Sequence, residues 1–142
     1  MSTVGKIADS LHSGMVRLNK KVAIVDRATD MSAARLSILA VLTFGGSQTI
    51  GSLSRIERVK PPTMSNLINA LEKGGMVVGK NAKEDARQSL VSVTKKGKGL
   101  LEKARQNRLT YLRGLLESLS KEELATLENA ADILLRLSES FD

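Results

Sequence analysis

The sequence predicts a mainly helical fold: a helix-turn-helix followed by a two-stranded β-hairpin wing, with long N- and C-terminal helices on either side. Three observations carry this expectation. Apolar residues recur at helical spacing over most of the 142 residues. Two short amphipathic segments meet at Lys60-Pro61-Pro62, where proline stops one helix and suits the first turn of the next. Between Met76 and Val93 the pattern changes to short apolar runs around a polar, charged stretch, the signature of a hairpin.

The elements follow in order. Ile7, Leu11, Leu18, Val22 and Val25 keep helical spacing and predict a long first helix ending before Asp30. Ser32 is a cap for a second helix, whose ARLSILAVLTF run is apolar nearly all round and therefore central. Gly45-Gly46 ends it. Thr49 caps a short helix through Ile50, Leu53 and Ile56. A further helix starts near Pro62, carries Met64, Leu67, Ile68 and Leu71 on one face, and stops at Gly74-Gly75. Met76-Val77-Val78 and Leu90-Val91-Ser92-Val93 read as strands, with the polar segment Asn81 to Gln88 between them. Thr94 caps a helix from Lys95 to Leu119, about 37 Å long at 1.5 Å per residue. Ser120-Lys121-Glu122-Glu123 is a capping box opening the last helix, with Leu124, Leu127, Ala131, Leu134, Leu137 and Phe141. The whole chain, 1–142, is expected to be one domain, with a central lobe at about 32–98 and terminal helices at 1–30 and 99–142.

Composition narrows the chemistry. Hydrophobic residues make up 42%, enough for a packed core. Cysteine is absent and His12 is the one histidine, which leaves disulfides, thiolate metal sites and histidine-based catalysis without residues. No metal or other cofactor is expected. The aromatics are Phe44, Tyr111 and Phe141, too few for stacking along single-stranded nucleic acid. No apolar run reaches the length of a membrane span and the first residues lack a signal-peptide pattern, so a cytoplasmic protein without membrane contact is expected. Charge is concentrated: residues 1–49 are net +3, 50–105 are net +7 and 106–142 are net −3. A basic middle is the electrostatic footprint of a phosphate backbone, and equally of a solvated basic face.

The stretch Asp85-Ala86-Arg87-Gln88-Ser89-Leu90-Val91-Ser92-Val93-Thr94 resembles the wing signature of the MarR family, Asp-x-Arg-x-x-x-Val-x-Leu-Thr. Thr94-Lys95-Lys96-Gly97 is similar to the Thr-x-x-Gly that follows it, and Leu71-Glu72-Lys73-Gly74-Gly75-Met76-Val77 to the family's Leu-Glu-x-x-Gly-Leu-Val. The order and spacing of elements from Ile7 to Phe141 match as well. Val93 stands for the usual Leu, Gly79-Lys80 for a frequent Arg, and Pro61-Pro62 for a more typical Ser or Asp.

The apolar stripe of the expected recognition helix leaves an opposite face with Pro62, Asn66, Asn69, Ala70 and Lys73, flanked by Thr63 and Ser65. The start of such a helix reaches base edges in the major groove, where Asn suits adenine and Thr or Ser can bond bases or phosphates. Pro62, Thr63, Ser65, Asn66 and Asn69 are therefore the expected reading surface, with Lys73 and Lys80 as further DNA contacts and Thr49 and Arg55 as backbone contacts. The resemblance implies that Arg87 enters the adjacent minor groove, with Asp85 orienting it. Lys83 shares the hairpin tip, and Lys95, Lys96 and Lys98 are either phosphate contacts or solvated lysines. The terminal stripes, with Ile7, Leu11, Leu115, Leu119, Leu127, Leu134, Leu137 and Phe141, read as ordinary packing or as a homodimer interface. The second is expected, because these ends flank the basic middle without being basic. The resemblance further implies a regulator of transcription on double-stranded DNA with a near-palindromic operator, often a repressor released by a small, aromatic or anionic effector. His12, Met15, Arg17 and Arg35 are the expected neighbours of an effector pocket. The alternative is a winged protein-interaction module that has lost specific DNA binding. An enzyme is not expected.

Overall fold

A computed structural model describes residues 2–82 and 85–139, with side chains given for all of these except 80–82 and 85–88. Ser2 opens helix α1 (Thr3–Asp26) by accepting from the Gly5 amide at 3.0 Å. A 3-10 turn at Arg27–Thr29 follows, and Asp30 adopts a left-handed conformation (φ 53°) that redirects the chain. Ser32 caps α2 (Ala33–Gly45) through the Arg35 amide at 3.3 Å. This helix buries Leu36, Ile38, Leu39 and Leu42, as a helix apolar nearly all round must. Gly46 closes it at φ 81°, a backbone geometry that disfavours any side chain.

Thr49 then caps α3 (Ile50–Glu57), accepting from Ser52 at 3.0 Å. Arg58, left-handed at φ 56°, makes the tight turn into α4 (Pro61–Lys73). Met64, Ile68 and Leu71 of α4 are buried, and Leu67 packs beside them half-exposed. The three buried ones, with Leu53 of α3, the α2 residues, Met31, Val77, Val91 and Ala104, form one hydrophobic cluster, against which Leu67 packs.

Strands β2 (Val77–Ala82) and β3 (Asp85–Val93) pair antiparallel, with Val77 opposite Val93 and an irregularity between Lys80 and Ala82. Sequence reading gives shorter strands, because the far end of the hairpin has no large apolar residue to signal it; main-chain pairing extends the ribbon. The wing is also three-stranded rather than two-stranded. Gln48–Thr49 forms β1, which pairs with β3 to give the order β1-β3-β2. Two residues carry no period, so nothing in the sequence marks them as a strand.

Helix α5 (Lys95–Leu116) starts at Thr94, whose Oγ1 accepts from the Gly97 amide at 3.1 Å and donates to the Gly75 carbonyl at 2.6 Å. It stops three residues short of the expected Leu119. Helix α6 (Lys121–Glu139) opens with the reciprocal capping box: Glu123 accepts from the Ser120 amide and Ser120 from the Glu123 amide, both at 3.1 Å. The chain divides into two compact units, Met1–Arg108 and Leu109–Asp142, with the division inside α5. The first holds the hydrophobic cluster. In the second, α6 buries no residue, and Leu115, Leu116, Leu124, Leu127, Ile133, Leu134, Leu135 and Leu137 are all exposed.

Candidate nucleic-acid interface and cavity

The helix pair α3–α4 is held by its apolar side, which leaves the other side of α4 to solvent. Pro62, Thr63, Asn66, Asn69 and Lys73 are exposed and Ser65 is half-buried, so the six share one accessible polar surface. Pro61 and Pro62 occupy the first two helical positions, and Lys60 makes no side-chain cap. Prolines have no N–H, so the first turn offers fewer free amides to an anion than an ordinary helix start. What this surface offers a ligand is therefore mainly side chains: two carboxamides, two hydroxyls and a lysine.

Other expected contact residues lie around it. Arg55 is exposed on α3. Thr49 is half-buried, and its hydroxyl is already engaged as the α3 cap. Lys80 is on β2, and Asp85 and Arg87 are on β3; their side chains lie outside the described ones, as do Lys83 and Phe141 altogether. Lys95, Lys96 and Lys98 are exposed on the first turn of α5. The Lys96 side chain passes close to Gly75, which the chain needs as glycine at φ 76°.

The residues expected at an interface between copies are mostly open. Ile7 is exposed and Leu11 half-buried on α1; Leu115, Leu127, Leu134 and Leu137 are exposed and Leu119 is half-buried.

A cavity of about 660 Å³ lies in the first unit, among α1, α2 and α5. Leu36, Ala40, Leu101 and Ala104 give it apolar walls, and Lys98, Arg105 and Arg108 bring cations to it, Arg105 lying 3.7 Å from the Glu102 carboxylate that also lines it. Phe44 stands at the same cavity, 83% exposed. None of His12, Met15, Arg17 or Arg35 lines it. The first three are exposed elsewhere on α1, and Arg35 is half-buried on α2. Helical spacing in the sequence does not point to this cavity, for a physical reason. The lining comes from residues more than fifty positions apart, and helical spacing reports which face is apolar without saying what it faces.

Two polar ties in the same wall also escape sequence reading. Asp26, 5% exposed, accepts from Arg108 Nε at 2.7 Å and from Nη2 at 2.6 Å, a two-pronged pair across 82 positions. The hydrogen bond to Asp26 raises the Arg108 pKa above its ordinary value; burial works against the shift and the Asp26 charge adds to it. Ser37 Oγ donates to Glu57 Oε1 at 2.9 Å, joining α2 to the end of α3. Thr43 Oγ1, also in this wall, is buried with no hydrogen-bond partner among the described residues. The described residues include no cluster of three or more His, Asp or Glu side chains suited to a metal ion, and no helix long and apolar enough to cross a membrane.

No protein-family model matches the sequence. The chain is 34% identical over 132 residues to an uncharacterized HTH-type transcriptional regulator of Mycobacterium bovis, covering 93% of this chain and 92% of that protein. Its fold is similar to that of a MarR family protein from Bacillus stearothermophilus, with a TM-score of 0.80, 22% identity and 99% of each chain covered. Wild-type MarR from Escherichia coli, in its apo form, has the same fold at a TM-score of 0.69, with 22% identity over 95% of this chain and 98% of that one.

Proposed function

Since this chain belongs to the MarR family of winged helix-turn-helix transcriptional regulators, we propose that it acts as a homodimeric repressor that grips a near-palindromic operator and is released by a small anionic effector. The observation that carries the DNA part is the exposed polar face of α4, with Asn66 and Asn69 beside Thr63 and Lys73, opposite the buried Met64, Ile68 and Leu71. Asn pairs with adenine through two hydrogen bonds, while Lys73 and the lysines of α5 attract phosphate without reading sequence. Arg87 on the wing reaches the minor groove in this reading, with Asp85 orienting it. Two copies present two such helices, about 34–36 Å apart when they enter successive major grooves of one face. The open leucines of α6 support a partner of the same kind.

The effector part rests on the cavity. Apolar walls edged by Lys98 and Arg105, with Glu102 3.7 Å from Arg105 and Arg108 already held by Asp26, suit an aromatic or amphipathic anion.

Selection of bound genomic fragments with purified protein at stated salt tests the reading. A shared inverted repeat among the recovered fragments is the expected result. Binding of all fragments alike, weakening together as salt rises, would mean that only phosphate is being read. A protein-interaction module predicts no enrichment at all.

A further inference from the structure

We propose that the Ser37–Glu57 hydrogen bond is the relay between the cavity and the helix-turn-helix: a carboxylate bound in the cavity competes with Glu57 for the one hydroxyl proton of Ser37. This rests on the effector reading above and adds how occupancy is transmitted.

Ser37 belongs to both sites. It lines the cavity from α2, and its hydroxyl is given to Glu57 Oε1 at 2.9 Å. A serine has a single O–H donor, so it serves one carboxylate at a time. Glu57 is poorly placed without that donor. It is the last residue of α3, where the exposed carbonyls carry partial negative charge, and it is half-buried. Among the described residues Ser37 is its hydrogen-bond donor. The bond is charge-assisted and so among the stronger side-chain ties between α2 and α3.

Position makes the tie consequential. Arg58 follows Glu57 directly in the left-handed conformation that forms the turn, and α4 begins at Pro61. When an anion drawn toward Lys98 accepts the Ser37 hydrogen bond in place of Glu57, Glu57 is left facing a helix C-terminus and a second negative charge. The last turn of α3 relieves this by moving, and α4, packed on α3, moves with it. The effector shifts the equilibrium only by its preference for that displaced arrangement, and linkage makes DNA weaken the effector by the same factor.

The test uses the full chain, 2-naphthoate as the aromatic carboxylate, and a duplex recovered by the fragment selection. Duplex affinity is measured by anisotropy with and without naphthoate, and naphthoate binding by calorimetry. Wild-type protein loses duplex affinity as naphthoate fills the cavity. Ser37→Ala still binds naphthoate through the cations and apolar walls. Its duplex affinity without ligand is already lower, by up to about tenfold, and naphthoate lowers it no further. Glu57→Gln removes the repelled charge, so it binds naphthoate more tightly while its duplex response shrinks. A purely structural role for Glu57 predicts no such opposite changes. If Ser37→Ala responds to naphthoate as wild type does, the relay is wrong and the effector reading stands. If wild-type duplex affinity ignores naphthoate bound in the cavity, or naphthoate does not bind, both fall. Should Ser37→Ala fail to fold, an unchanged response in Glu57→Gln overturns the relay.

Discussion

Gly97 sits where a side chain has no room. A Cβ built there would lie 2.2 Å from the Met76 carbonyl oxygen and 2.8 Å from Val93 Cγ2. The first of these is backbone and cannot swing aside. Thr94 fixes the approach, because its amide donates to that same Met76 oxygen at 3.0 Å while its hydroxyl bonds Gly75 and receives Gly97. The Thr-x-x-Gly spacing was legible in the sequence, but its cause was not, since the clash partner lies in another element. Gly97→Ala should cost about 3 kcal/mol, at the upper end for an overpacked site, seen as a lower urea midpoint with an unchanged slope. The Asp26–Arg108 pair argues differently. Arg108→Ala leaves a carboxylate nearly buried with no partner, which in a fully buried pair costs about 3–5 kcal/mol. The Arg108 side chain is 38% exposed, so water reaches the vacated place and a loss of about 2 kcal/mol is expected by the same measurement. Sign matters for pH. The raised pKa of Arg108 contributes stability that is complete below its ordinary value and is lost only as pH rises through the still higher folded value. The arginine's contribution therefore stays constant between about pH 6 and 9.

Caps and breaks made most elements legible. Ser32, Thr49, Thr94 and the Ser120–Glu123 box each mark a helix start in the sequence, and each makes the expected side-chain hydrogen bond. Elements without side-chain punctuation were missed: β1 is two residues long, and the outer hairpin is held by main-chain pairing. The exposed polar face of α4 was legible because burial of Met64, Ile68 and Leu71 dictates what lies opposite. Two substitutions on that face separate reading from holding. Asn66→Ala should weaken binding to the selected duplex by about 1–3 kcal/mol and leave scrambled duplex almost untouched, as the loss of a base contact requires. Lys73→Ala should weaken both alike and reduce the slope of log affinity against log salt by about one. Equal losses on both duplexes from Asn66→Ala would remove it from the base-reading surface.

At the scale of the molecule, charge and apolar surface are sorted along the chain: residues 50–105 are net +7, and the C-terminal part is net −3 and leucine-rich. On α6, Leu124, Leu127, Leu134 and Leu137 recur three and seven residues apart, the spacing of a single helical seam, and all four are exposed. A helix of 19 residues that fully buries none of them gains less apolar burial to offset its ordering than it would with a partner over the seam. If that partner is a second copy, each duplex is held by two sets of α4 and wing contacts, and the second set binds at the high effective concentration set by the first. Replacing Leu127 and Leu134 together by Lys places two charges in the seam. Sedimentation should then give monomers, while circular dichroism keeps most of the helical signal. Affinity for a two-half-site duplex should fall by about 10²–10⁴-fold, and its salt slope should drop to roughly half, because one copy neutralises half as many phosphates. Affinity for an isolated half-site should barely change. A double variant that stays dimeric, or a wild-type chain that sediments as a monomer at the concentrations where it binds DNA, would show that the α6 leucines serve some other contact.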